Sequence, residues 1–269
     1  MKLVSSAKLR KAQNAIEAMR PYEEQLQGIL ASLQGGTAGV SSLNLGKNKD
    51  ERKTIVAIAS NSSLCGGFNA NAIAKVRAIR RPGDTVYAIG RKMADAMRKE
   101  GFASPEDFSA LSEHPSYGPA AALVEKLVAD VEAGRTGAVV LVYNHFVSTA
   151  RQEPVVEVLM QRETPDQVGG DRGAEERDSS PAPSYIAPLL EPSRAALLEA
   201  LVPKTRKLKL YAALLDSAAA EHAARTVAMQ TATDNAENLL SELTLQYNKG
   251  RQQKITSEIL DLAGGQAEN

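Results

Sequence analysis

From Lys2 to Leu33 the apolar residues Leu3, Val4, Ala7, Ile16, Met19, Leu26, Ile29 and Leu33 recur at helical spacing, with Lys, Arg, Gln and Glu between them. That period predicts one long amphipathic helix. Pro21 has no backbone donor and is expected to bend the helix or restart it at Tyr22. The glycines of "QGGTAG", Gln34 to Gly39, then end it.

In the middle of the chain the period shortens. "TIVAIAS" (Thr54 to Ser60), "TVYAIG" (Thr85 to Gly90), "AVVLVYN" (Ala138 to Asn144) and "PVVEVLMQ" (Pro154 to Gln161) read as strands. The first three are almost continuously apolar, as strands buried on both faces are. Between them Asn69 to Arg81, Arg91 to Glu100 and Pro119 to Ala133 read as helices. The alternation predicts a small Rossmann-like α/β domain with a largely parallel sheet. Arg162 to Ser184 is polar, rich in Gly and Pro, and is expected to be a mobile surface loop. A short helix is predicted from about Pro192 to Leu201.

Thr205 to Leu262 contains no proline, and only Gly250 interrupts its helical pattern. A helix of about 58 residues would be roughly 85 Å long, beyond what one compact domain holds. Leu208, Leu215, His222, Met229, Ala236 and Leu243 share one seven-residue grid; Ala212, Ala219, Thr226, Thr233, Leu240 and Tyr247 share the companion grid. These are the a and d positions of a coiled coil, so a partner helix is required. The N-terminal helix is the only other long amphipathic one, which predicts an antiparallel pair projecting from the domain. The chain then divides into a coiled-coil helix (1–34), an α/β domain (35–204) with the loop at 162–184, and a second coiled-coil helix (205–269).

Length leaves a remainder. A first helix of about 33 residues covers only about as many of its partner, so the far end, roughly Asn238 onward, is expected to be unpaired. Yet that end carries Leu243, Ile255, Ile259 and Leu262, each worth about 1.5 to 3 kcal/mol when buried. Either another protein sheathes this tip or residues upstream of Met1 are missing.

Composition agrees with a partly globular molecule: only 4% of residues are aromatic and Trp is absent. Thirty-two basic residues balance 32 acidic ones, so no overall field marks a nucleic-acid binder. Locally, Met1 to Arg20 carries Lys2, Lys8, Arg10, Lys11 and Arg20 against Glu17 alone, a basic helix end. A lone cysteine, Cys65, excludes an intramolecular disulfide and fits a reducing compartment. No apolar run approaches the roughly 20 residues that span a bilayer, so a soluble, cytosolic chain without direct membrane insertion is expected.

Candidate chemistry is sparse. "LCGGFNAN" follows a strand and opens a helix, a position that attracts anions, but it lacks the Lys and Ser/Thr of a P-loop and does not match G-x-G-x-x-G. His114, His145 and His222 share no ligand spacing with Cys65 or with each other. No Ser/His/Asp order or carboxylate pair stands out. Neither catalysis by this chain alone nor a bound metal or cofactor is expected.

Three stretches resemble one family. "MKLVSSAKLRKAQ" with the following "RPYEEQL" is similar to the N-terminal helix of F-type ATP synthase gamma subunits. "SLCGGFNANAIAKV" (Ser63 to Val76) resembles their first strand-loop-helix. The segment from Glu221 to Gly265 resembles their C-terminal helix almost throughout. The resemblance implies a non-catalytic central-stalk rotor whose terminal helices enter a hexameric ring of alternating alpha and beta subunits. It also implies that the α/β domain meets the epsilon subunit and the c-ring. Proton-driven rotation would then force the catalytic beta subunits through successive conformations, at the cytoplasmic side of the bacterial inner membrane. Positions matching the family's contact residues are Met1, Lys2, Arg225, Arg251, Gln252, Thr256 and Glu258; Leu243, Ile255, Ile259 and Leu262 would be buried at the shaft tip. The chain departs from the pattern at "SNSSLCGG", at Gln266 after Gly265, and at its start, where Met1 aligns with an internal methionine. That departure implies either a misassigned start or a copy lacking the upper shaft. Two other classes remain open: a self-associating coiled-coil scaffold with an α/β head, and a nucleotide-binding α/β enzyme.

Overall fold

The computed structural model describes residues 2–33, 52–102, 104–162, 191 and 193–265, with side chains up to 260 in the last stretch. The expected "QGGTAG" stop, most of the loop at 162–184 and Met1 lie outside the described residues. Helix α1 is Lys2–Leu33; strands β1 (Lys53–Ile58), β2 (Thr85–Ile89), β3 (Ala138–Phe146) and β4 (Gln152–Gln161) form one sheet. Helices α2 (Phe68–Ile79), α3 (Arg91–Lys99), α4 (Ser109–Glu113) and α5 (Tyr117–Glu132) connect them, and α6 is Arg194–Gly265. The predicted strands and the helices between them are all present. Helix α4 was not expected, because five residues are too short to show a period.

The sheet has the order β2-β1-β3-β4. β1 pairs parallel with β2 and with β3, Val56 lying opposite Tyr87 and Leu141. β4 pairs antiparallel with β3, so the sheet is mixed. The connection at residues 147–151 explains why: it is far too short for the crossover a parallel neighbour needs. Ser148 and Arg151 close it with reciprocal backbone bonds of 3.0 and 3.2 Å.

Each face of the sheet buries its own core. Ile55, Ala57, Val86, Ala88 and Val142 pack on Ala72 and Val76 of α2 and on Met93 and Met97 of α3. Val56, Ile58, Tyr87, Ile89 and Leu141 pack on Leu123, Val124 and Leu127 of α5 and on Leu210, Ala213 and Leu214 of α6. The alternation along β1 is the period-2 pleat at work. The start of α6 is thus one layer of the domain as well as the root of the rod.

This corrects the expected break between a short helix at Pro192 to Leu201 and a long one from Thr205. α6 is a single helix of 72 residues with Pro203 inside it. Proline frees the carbonyl four residues earlier, here that of Glu199, which lies on an exposed stretch where water can satisfy it. The same holds for Pro21, which does not interrupt α1: Glu17 and Pro21 are both exposed.

α1 and α6 run antiparallel. Lys2 bonds Gln230, Leu9 packs with Ala219 and Ala223, and Glu23 lies within the field of Lys209 and Asp216. The alanines of α6 let α1 approach closely. Burial on α6 is broader than an a/d seam, and includes Leu210, Leu214 and Ala224 as well as Leu208, Leu215 and Ala219. The reason is that α6 faces both α1 and the sheet. From Thr231 to Leu260 every residue is exposed, so the unpaired stretch begins earlier than the expected Asn238. Register decides this, because α1 starts opposite Gln230.

His222 sits in this seam with its Nδ1 buried and without a hydrogen-bond partner among the described residues. Burial, then the charges of Arg225 and Lys8, push its pKa from 6.5 down to about 4. Burial raises the carboxyl of neighbouring Glu221, against the opposing pull of Arg225 and Lys8.

Two measurements test these packing arguments. Gly90 ends β2 at φ +99°, and a Cβ there would lie 2.1 Å from the carbonyl oxygen of Ala59; Gly90→Ala is expected to cost more than about 2 kcal/mol in denaturant unfolding. For His222, the unfolded chain takes up its proton near 6.5 while the folded one resists until about 4, so its contribution destabilises progressively as the pH falls through that window. Glu221, with a raised folded-state pKa, acts in the opposite sense on acidification. His222→Gln should therefore lose less stability than the unaltered chain when urea midpoints near neutrality and near the foot of that window are compared.

Candidate functional site

In open α/β sheets the ligand crevice lies beyond the carboxyl ends of the strands, where the strand order reverses. Here that point falls between β1 and β3. Helix α6 occupies it. Phe146 at the end of β3 donates its backbone N–H to Asp216 Oδ1 at 3.0 Å, and His145 Nδ1 lies 2.5 Å from Asp216 Oδ2. Cys65 and Phe68, which follow β1, pack on Ala220 and Ala224. Arg225 donates to Ser62 Oγ at 2.8 Å. Burial raises the Asp216 carboxyl, while His145 and the Phe146 amide pull it back.

The loop after β1 closes on itself. Asn69 Oδ1 accepts from the Ser60 backbone at 3.0 Å, and its Nδ2 lies 3.1 Å from Cys65 Sγ. Leu64 and Gly66 take left-handed backbone angles, φ +65° and +57°, to make the turn. The cysteine is 2% exposed, a small buried residue beside a tight turn. Among the described residues no group of three or more His, Cys, Asp or Glu is placed to hold a metal ion. A cleft of about 270 Å³ at the opposite end of the sheet is lined by Lys53, Arg80 and Arg81 with Ile55, Ile79 and Val140.

The residues singled out in the sequence fall into two groups. Lys2 bonds Gln230 at the mouth of a groove of about 620 Å³ between α1 and α6, floored by Met229, Ala232, Ala236 and Leu240. Arg225 is engaged within the chain: its side chain is 12% exposed and pairs with Glu221 at 2.7 Å, besides reaching Ser62. Arg251, Gln252, Thr256 and Glu258 are exposed on the free part of α6. Thr256 Oγ1 donates to the Gln252 carbonyl at 2.8 Å and Glu258 faces Lys254 at 3.9 Å. Leu243 and Ile259 are 52% and 59% exposed, and Ile255 is exposed with them. Leu262 is in the helix, but its side chain, like Met1, lies outside the described residues.

The seat of α6 on β3 escaped the sequence reading. Its one visible signal was Asp216, a carboxylate inside the apolar run "LYAALLDSAAA". Nothing in spacing could tie it to His145, which is remote in the chain.

Among the described residues no helix is long and apolar enough to cross a membrane. The family model described as ATP synthase matches residues 1–267. The chain is 44% identical over 272 aligned positions to the ATP synthase gamma chain of Phocaeicola vulgatus, covering 98% of this chain and 91% of that one. With the gamma chain of Pelotomaculum thermopropionicum the identity is 36%, covering 99% and 91%. The fold is that of a chain in the Euglena gracilis mitochondrial ATP synthase structure of OSCP, F1 and c-ring, with a TM-score of 0.65 at 20% identity over 97% of this chain and 94% of that one. It also matches a chain in the central stalk and c-ring structure of Tetrahymena thermophila, with a TM-score of 0.60 at 18% identity, covering 87% and 97%. An α/β head, an antiparallel helix pair and a relative 44% identical along nearly the whole chain lead to one conclusion: this chain belongs to the ATP synthase gamma-subunit family.

Proposed function

We propose that the chain is the rotor of a proton-translocating ATP synthase, a non-catalytic shaft that couples rotation of a c-ring to successive conformations of the beta subunits. The observation that carries this reading is the free part of α6. Leu239, Leu240, Leu243, Leu245, Tyr247, Ile255, Ile259 and Leu260 are all large, apolar and exposed along it. At about 1.5 to 3 kcal/mol each, their burial would supply ample energy for a sheath of other subunits. The groove between Lys2 and Leu240 continues that apolar surface to the neck of the rod. The alpha and beta subunits are its occupants in this reading; the epsilon subunit and c-ring meet the α/β domain, at the cytoplasmic face of the bacterial inner membrane.

A rod imposes order on three equivalent partners only by touching each differently, as a ligand with unequal affinity for their states. Arg251, Gln252, Thr256 and Glu258 are the polar groups that would make those contacts, with Met1 and Lys2 at the end of α1. Arg225 would have to release Glu221 or Ser62 to join them. The crevice at the carboxyl ends of β1 and β3 holds α6, which supports a non-catalytic part.

Reconstitution with alpha and beta subunits tests the reading. The chain should form a stable complex with the ring. Leu243→Asp with Ile259→Asp should leave the unfolding midpoint of the α/β domain unchanged and weaken assembly at least about tenfold, since two apolar burials are lost. Unchanged assembly, or a stable elongated homodimer that ignores the ring, would overturn it; the homodimer is what a self-associating scaffold gives.

A further inference from the structure

A shaft that passes on a turning force must not rotate about its own axis within its mounting. Apolar burial is non-directional, and the side chains of α6 at the neck, Ala219, Ala220, Ala223 and Ala224, are small. A surface of methyl groups holds a helix against the sheet and resists its rotation poorly. Directional bonds from different sides of the helix resist it well.

Lys207 pairs with the exposed Glu125 of α5 at 2.5 Å, and three further polar side chains of α6 bond the sheet and the loop after β1. Lys209 Nζ donates to the Val158 carbonyl of β4 at 3.0 Å and lies 3.3 Å from Glu157. Asp216 accepts from the Phe146 backbone with one oxygen and contacts His145 with the other. Arg225 reaches Ser62 on the loop after β1. With about 3.6 residues per turn, Lys209 and Asp216 project within about 20° of each other, whereas Arg225 projects about 180° from Asp216 and roughly 13 Å further along the axis. Holds on opposite sides of a rod form a couple: a rotation that relaxes one stretches the other.

Asp216 holds the middle of the sheet: each of its carboxylate oxygens has its own partner, its side chain is 16% exposed, and it grips a central strand. Lys209 grips an edge strand, and Ser62 is on an exposed loop. We propose that Asp216, seated on His145 and the Phe146 amide, is the positioning residue that locks α6 to the α/β domain against rotation, so that torque entering through the domain leaves through the shaft. This inference rests on the rotor reading above.

The test uses complexes of this chain with alpha, beta and epsilon subunits and the membrane sector in sealed vesicles. ATP hydrolysis and ATP-driven proton uptake are measured, and their ratio is read. Asp216→Ala should assemble and hydrolyse ATP while the ratio of uptake to hydrolysis falls at least about twofold, the small end of effects at residues that couple distant sites. Asp216→Glu and His145→Lys keep a bond across the seat and should retain the ratio. An unchanged ratio in Asp216→Ala overturns the proposal. So does a loss confined to unfolding temperature or yield of complex, which is what a purely stabilising role predicts. Should Asp216→Ala form no complex, Asp216→Asn, whose amide oxygen still accepts from Phe146, is read by the same ratio and must lower it. If the unaltered chain forms no complex, or forms one that takes up no protons, the rotor reading itself fails and takes this inference with it.

Discussion

Everything distinctive about the molecule depends on α6 lying against the sheet. Leu210, Ala213 and Leu214 close the core over β1 and β3, and the same unbroken helix runs out of the domain to Gly265. A helix bonded end to end by its own backbone is stiff along its axis. A head and a rod that share one helix cannot be reoriented without breaking either that helix or the core. Had the chain broken at Pro203, the head would have been tied to the rod by a hinge.

The neck adds direction to this apolar contact. Small side chains on α6 admit α1 on one side and the loop after β1 on another. Such close packing leaves little room for large side chains, and so the specific holds at the neck are polar: Asp216 on β3, Arg225 on Ser62 and Lys2 on Gln230. Buried groups tolerate this only when bonded, and most are. At the neck His222 is an exception among the described residues, with one ring nitrogen unpartnered and a depressed pKa. Seating α6 across the carboxyl ends of β1 and β3 also closes the site where this class of sheet usually binds a ligand.

Beyond Gln230 the constraint reverses. No part of the described chain covers α6 there, and its apolar residues face solvent along with Arg251, Gln252 and Thr256. A long exposed stripe of Leu and Ile is the kind of surface that marks an interaction site.

Element types and their order were readable from the residues because each rests on local periodicity: the 3.6-residue recurrence from Lys2 to Leu33, the apolar run at Thr54 to Ser60, the proline-free stretch after Thr205. That the far end of α6 is left bare was readable too, since counting residues showed that α1 is too short to cover it. Relations between segments remote in the chain were decided only in three dimensions. Pro203 looks like a terminator, yet it sits inside α6, on a stretch where Glu199 and Pro203 are both exposed. Pairing register, set by Leu9 against Ala219 and Ala223, moved the start of the bare rod from Asn238 to Thr231. Arg225, a contact position by resemblance, also engages Glu221 and Ser62 within the chain. The seat of Asp216 on His145 and Phe146 joins groups some 70 residues apart, and no periodicity records a contact made by folding one layer onto another.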